Sequence, residues 1–183
     1  MTNLKSNQLL IAEPFMEDPN FKRAVVLLCQ HDTDGSFGFI LNRKLDLRLG
    51  DAVPELEALD MKLFAGGPVQ PDTLHYIHNY GDSLKDAHKI DDNVYWGGDF
   101  EQLKAMANTG MIETERIRFF LGYSGWDNGQ LETETTSDSW ILSKPKYDHI
   151  FKVQPAQLWH QVLFNMGGEY RVMSHFPDDP ILN

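Results

Sequence analysis

Cys29 is the only cysteine in the chain, so no internal disulfide is available and a reducing compartment is the expected setting. Long apolar runs are scarce as well. The run Ala24-Val25-Val26-Leu27-Leu28-Cys29 falls far short of the roughly 18–20 residues a membrane-spanning helix requires. At the N-terminus, MTNLKSNQLLIAEPF places Glu13 and Pro14 where a secretory leader needs further apolar residues, so a cytoplasmic location without a membrane partner is expected. Clustered basic charge is also missing. The 16 Lys and Arg are scattered among 27 Asp and Glu, giving a net charge of −11, and no stripe is available to neutralise a row of phosphates. Direct nucleic-acid binding and attachment to anionic membranes are both disfavoured.

What is present fits an ordered globular protein. Of the 183 residues, 42% are hydrophobic and 23% charged, a balance able to bury a core. The length suits one domain over residues 1–183, with room for a small sub-lobe around residues 70–110. Short strands are expected at Leu9–Ala12 and in a hairpin over residues 24–42, whose turn is Asp32-Thr33-Asp34-Gly35-Ser36. In the first arm of that hairpin Cys29 reads as a small buried hydrophobe, since nothing near it in sequence would favour a thiolate. Asp46–Val53 reads as a short helix ended or restarted by Pro54. Strands then follow at Met61–Ala65, Thr73–Asn79, Asn93–Trp96 and Ile117–Tyr123, with a helix at Phe100–Asn108 that Asp99 caps and Gly110 closes.

The last third reads as a helix near Gln130–Thr135, a strand at Trp140–Leu142 and a helix from Pro155 to Met166 stopped by Gly167-Gly168. Leu158, Val162 and Met166 form one stripe of that helix, with Trp159 and Leu163 beside it, so one face should pack on a sheet. Tyr170–Met173 is expected to be extended, and Ser174–Pro180 irregular. Strands joined by hairpins with a few helices between them imply an α+β fold, with a mixed, mostly antiparallel and strongly curved sheet and helices on its faces.

The segment RFFLGYSGWDNGQLETE (Arg118–Glu134) resembles an active-site turn: an apolar run, a glycine-rich bend, then a helix. A nucleophile elbow needs small residues two before and two after its serine. Around Ser124, Gly122 satisfies the first condition and Trp126 breaks the second. The architectural reading covers more residues: Phe119, Leu121 and Tyr123 on one strand face and Phe120 on the other, glycines for close approach, and Trp126 as a plug. Glu132 and Glu134 diverge by about 200° on a helix and cannot readily share a proton or a metal. His75 and His78 have a metal-like spacing, but on a strand they point to opposite faces. Ala65-Gly66-Gly67-Pro68 and Trp96-Gly97-Gly98-Asp99 read as tight turns, since neither carries the spacing of a dinucleotide or phosphate loop. No metal or organic cofactor is expected.

Taken in order, LLIAEPFMEDPNFKRAVVLLCQH, GSFGFILNR, FAGGPVQPDTLHYIH, YWGGDFEQL, RFFLGYSGWDNGQLETE and WHQVLFNMGGEYRVMSHFPDDPILN resemble the YqgE/AlgH family of bacterial proteins over nearly the whole chain. The C-terminal FPDDPILN is similar to the ending found in the branch from Bacteroidetes and related bacteria. The resemblance implies a cytoplasmic domain with a mixed sheet and flanking helices, and it implies no particular reaction. Its motif positions here are Asn42, Arg43, Gly66, Gly67, Pro68, Gly97, Gly98, Gly122, Tyr123, Gly125, Trp126, Gly129, Gln130, Leu131 and Glu132. The preferred functional expectation is a binding or regulatory module for a small ligand or a protein partner. Its cleft would take in Arg43, Gly66, Gly67, Gly97, Gly98, Tyr123, Ser124, Trp126, Gln130 and Glu132. The alternatives are a hydrolase-like enzyme using Ser124 or Glu132 and a subunit acting by association alone.

Overall fold

The computed structural model describes residues 4–178. Strand β1 (Gln8–Ala12) leads to the hairpin of β2 (Val25–Asp32) and β3 (Gly35–Ile40), followed by β4 (Lys44–Arg48), α1 (Leu49–Ala52), a 3-10 turn at Pro54–Leu56 and β5 (Lys62–Ala65). Next come β6 (Val69–His78), β7 (His88–Asp91), β8 (Val94–Trp96), α2 (Phe100–Asn108) and the long strand β9 (Ile117–Trp126). The remaining elements are α3 (Gln130–Thr136), β10 (Trp140–Ser143), α4 (Tyr147–Phe151), α5 (Pro155–Met166) and α6 (Gly168–Met173).

The strands make one open mixed sheet in the order β10-β1-β2-β3-β9-β6-β8-β7, with β5 joined to β9 and β4 to β5. Among the described residues every strand pairing is antiparallel except that of β5 with β9. The fold is α+β, as the alternation of short strands and few helices implied. β9 is its organising strand. One of its edges pairs with β6 from Ile117 to Tyr123, while the other pairs with β5 at Phe120 and Leu121 and then with β3 from Ser124 to Trp126.

Both faces of the sheet are covered, which is why β1 and β2 read as unbroken apolar runs. Leu9, Ile11, Val25, Leu27, Phe39, Phe64 and Phe120 face one way, against Ile150 and Phe151 of α4 and Leu158, Trp159, Val162 and Leu163 of α5. The opposite face is split between two cores. Leu63, Tyr76, Ile117 and Phe119 pack with Leu49, Leu56 and the α2 residues Leu103 and Met106. Leu10, Val26, Leu28, Ile40, Trp126 and Trp140 pack with Leu131 of α3. Helix ends follow their sequence signals: the Asp99 carboxylate accepts from the Gln102 amide at 3.0 Å, and Gly167 beyond α5 has φ +75°.

Four expectations need correction. Lys44–Arg48 is a strand: Leu45 and Leu47 alternate with polar residues and pack on the core under α2, so only Leu49–Ala52 of the expected Asp46–Val53 helix is helical. Tyr170–Met173 belongs to helix α6, which packs through Tyr170 and Met173 beside the core beneath α4 and α5, the central core of the three, rather than adding a strand. The Ser124-Gly125-Trp126 segment is no turn; β9 runs through it and pairs with Gly38, Phe37 and Ser36. Finally, Phe119 and Leu121 share a face but Tyr123 does not share it with them. Gly122, at φ +67°, interrupts the alternation and turns the Tyr123 ring toward Phe37 and His75. The irregular tail expected over 174–180 lies partly outside the described residues, as does most of the branch-like ending.

Candidate ligand-binding groove

Two irregularities open a groove beside the central core. In β2, Leu28 pairs with Gly38 and Gln30 with Phe37, so Cys29 is the extra residue of a β-bulge. The bulge sets Gln30 and Asp32 on the same side as Phe37. In β6, Val69 pairs with Tyr123 and Leu74 with Leu121, so the residues between Val69 and Leu74 loop out of register. The resulting concavity, about 520 Å³, is walled by Phe37, His75, Trp96 and Tyr123, with Asp32, Asp34 and Asp127 along its rim. A neighbouring concavity of about 590 Å³ shares His75 and Trp96 and adds His88, Asp86, Asp99 and Phe100.

Trp96 lies between the two. Its ring centroid is 4.8 Å from Phe37 and 4.7 Å from His88, while His75 is 5.7 Å from Tyr123. The Trp96-Gly97-Gly98 turn is clasped from below. Tyr76 Oη donates to the Gly98 carbonyl at 2.7 Å, and the fully buried His78 places Nε2 2.9 Å from the Gly97 carbonyl. His78 Nδ1 accepts from the Tyr80 amide at 3.2 Å, which assigns the proton to Nε2 and keeps the ring neutral. His75 and His78 do point to opposite faces, toward the groove and the Gly97 turn respectively, and no group of three or more metal-ligating side chains occurs among the described residues.

Burial holds His75, His78 and His149 below the ordinary imidazole value of 6.5. Folded-state values below the unfolded ones mean that the unfolded chain takes up more protons, so this stability is fully present above about pH 6.5 and is lost as pH falls below it. Urea midpoints measured from pH 7.5 to 5.5 should decline toward acid, with His78→Gln flattening the slope. A midpoint that is constant or rises toward pH 5.5 contradicts the assignment.

The residues singled out in the sequence divide among several places. Tyr123 and Trp126 line the first concavity and Gly97 and Gly98 the second. Gly66 and Gly67 lie beneath them as a backbone crossing: the Gly66 carbonyl accepts from the Ile40 amide at 2.9 Å and from Ser124 Oγ at 3.0 Å. Ser124 is fully buried, and that bond is its hydroxyl's only one among the described residues, so no imidazole activates it. Arg43 stands apart, donating to the carbonyls of Pro19 and Lys22 and bracing that loop. Gln130 caps inward on Asp127 and donates to Glu134, while Glu132 Oε1 is 3.7 Å from His31 Nε2 on the far side of β3 from Phe37. Glu134 is the residue that sequence reasoning missed. Its Oε2 accepts the indole N–H groups of both Trp126 and Trp140, at 2.9 and 2.8 Å. Phe37 and the rim aspartates were also missed; the alternation Phe37-Gly38-Phe39 was the available signal.

The architecture is that of a small α+β protein with an open, bulged sheet and an aromatic groove at its central strand. The chain belongs to the AlgH-like family, whose model matches residues 9–171. It is 43% identical over 181 residues to a UPF0301 protein of Cytophaga hutchinsonii, covering 98% of this chain and 100% of that one. A UPF0301 protein of Chlorobium limicola is 44% identical over 180 residues, covering 98% and 96%. Among solved structures, the AlgH protein from Pseudomonas aeruginosa superposes with TM-score 0.75 at 25% identity over 97% of this chain and 98% of that one. A Corynebacterium diphtheriae protein does so with TM-score 0.80 at 20% identity, covering 96% and 94%, a likeness of fold. No helix among the described residues is long and apolar enough to cross a membrane.

Proposed function

We propose that this protein is a cytoplasmic, non-catalytic binding module whose ligand is a small organic cation seated across Trp96. The observation that carries this reading is the composition of the groove: aromatic rings form its floor, aspartates its rim, and neither Lys nor Arg lines it. Asp34, Asp86 and Asp127 carry carboxylates without hydrogen-bond or ion-pair partners among the described residues, and all three are exposed. An ammonium or guanidinium over an aromatic face gains about 0.5–2 kcal/mol and would meet those carboxylates as well. The volume falls in the usual range for small-molecule pockets. The absence of basic lining also argues against nucleic acid as the occupant. Ser124, bonded to backbone beneath the groove, supports a structural part for the serine rather than a hydrolytic one.

Thermal shift and calorimetry with a panel of amines and guanidines, each paired with a neutral isostere, test the proposal. A bound cation at 100 times its dissociation constant adds about 2.7 kcal/mol, which for a chain of this length raises Tm by roughly 5–10 °C. Trp96→Ala should abolish the shift and Ser124→Ala should retain it. If neutral isosteres act equally, or Trp96→Ala binds unchanged, the reading fails.

A further inference from the structure

A third cavity, sharing no lining residue with the two concavities of the groove, has the opposite electrostatic character. About 390 Å³ in volume, it is lined by Lys44, Arg48, Asp60, Lys62, Phe64 and Arg118, among others. Four cations and one carboxylate line it in a chain whose net charge is −11. Arg48 pairs with Asp60 at 2.8 Å and Lys62 pairs with Asp46. Those carboxylates leave Lys44 and Arg118 without one among the described residues.

Arg118 is the unusual member. It is only 7% exposed, projects from β9 toward the central core's side of the sheet, and lies with its guanidinium carbon 4.5 Å from the Phe64 ring centroid. A guanidinium carries five N–H donors. One nitrogen of Arg118 donates to the Leu41 carbonyl at 3.2 Å, and its other donors have no acceptor among the described residues. A buried cation is ordinarily paired, because leaving it uncompensated opposes folding. Burial lowers the Arg118 pKa to about 10, so the group still carries its charge at neutral pH.

We propose that this pocket is an anion site for a small phosphate monoester, with Arg118 as the buried fork and Lys44 as the cation at the mouth. A dianion matches the two cations that lack carboxylates. The planar guanidinium presents paired donors to phosphate oxygens, and the rings of Phe64 and Phe151 form an apolar wall for the ester's organic part. Confinement to a cavity, with no basic row leading from it, fits a small molecule rather than a polymer.

The test is a titration of the full chain, followed by amide chemical shifts, with phenyl phosphate, inorganic phosphate and benzoate at constant ionic strength. Saturable shifts at Lys44, Lys62 and Arg118 are expected, with phenyl phosphate tightest. Arg118→Lys, which keeps the charge but loses the fork, should weaken phenyl phosphate about tenfold or more, and Lys44→Ala by roughly three- to tenfold. Should Arg118→Lys fail to fold, the exposed Lys44→Ala and Lys44→Glu carry the comparison. Linear, unsaturated shifts overturn the site. So does binding that neither Lys44 variant weakens. Benzoate binding as tightly as phenyl phosphate overturns the ligand class, and inorganic phosphate binding as tightly overturns the ester.

Discussion

Gly122→Ala should reduce the unfolding free energy by about 2–5 kcal/mol, a large share of the 5–15 kcal/mol typical of a native domain. Gly122 sits at φ +67°, where an L side chain is strained by roughly 1–2 kcal/mol. Space is the second contribution. A Cβ there would stand 2.7 Å from the Gly67 carbonyl oxygen and 2.9 Å from that of Val69, both backbone atoms that cannot rotate away. The crossing is close in the other direction too, since a Cβ on Gly66 would lie 2.3 Å from the Gly122 carbonyl oxygen. Gly97→Ala is the natural control. Its φ is +68°, yet no heavy atom lies within 4 Å of the added Cβ, so only the backbone strain of about 1–2 kcal/mol applies. Chemical denaturation of the two variants, followed by circular dichroism, should rank Gly122→Ala well below Gly97→Ala. Equal losses would show that the crossing yields to an added methyl group and that packing there is loose.

That crossing also marks how far the fold could be read from residues alone. Local signals sufficed where one element obeys one period: the Pro155–Met166 helix, the Asp99 cap and the hairpin around Asp32–Ser36 all lie where proline, aspartate and glycine put them. They failed where tertiary pairing decides. Glycines at 122 and 125 look like a bend, but β3 supplies a partner strand and β9 continues to Trp126. Val172 favours extended structure by its branching, yet no strand is there to receive it and it remains exposed on helix α6. Lys44–Arg48 could have been recognised from its period-two alternation, which Asp46 and Pro54 obscured by resembling helix signals.

The groove was legible only in part, for a related reason. Tyr123, Trp126, Gly97 and Gly98 stood out because glycine and aromatic residues cluster around them in sequence. Their partners Phe37 and His75 come from two other strands, brought in by bulges at Cys29 and after Val69 that leave no local mark. Arg43 is the converse case: prominent in a motif, it is used to hold the Pro19–Lys22 loop. Arg118 opens the segment Arg118–Glu134, and its neighbours in sequence give it no distinguishing signal. Nothing in the surrounding letters shows that a basic side chain at that position of a covered strand has no acid beside it.

Trp126→Ala should cost about 3–5 kcal/mol, the usual consequence of emptying a buried aromatic site. Trp126 is 5% exposed, with its ring centroid 5.9 Å from Phe21 and from Trp140, and it packs on Leu131 of α3. Trp126→Phe separates apolar filling from hydrogen bonding. Phenylalanine retains much of the ring packing but offers no N–H to Glu134 Oε2, which keeps the bond from Trp140, so the loss should be nearer 1–2 kcal/mol. Glu134→Ala works from the other side: both buried indole N–H groups lose their shared acceptor, and the loss should exceed that of Trp126→Phe. The double variant Trp126→Phe with Glu134→Ala should then be less destabilised than the sum of the two, because one orphaned donor has been removed. Guanidinium denaturation monitored by far-ultraviolet circular dichroism, which does not depend on tryptophan as the probe, gives all four values. Strict additivity would mean that the carboxylate and the indole do not act together, and that α3 is held against the sheet by Leu131 and its apolar neighbours alone.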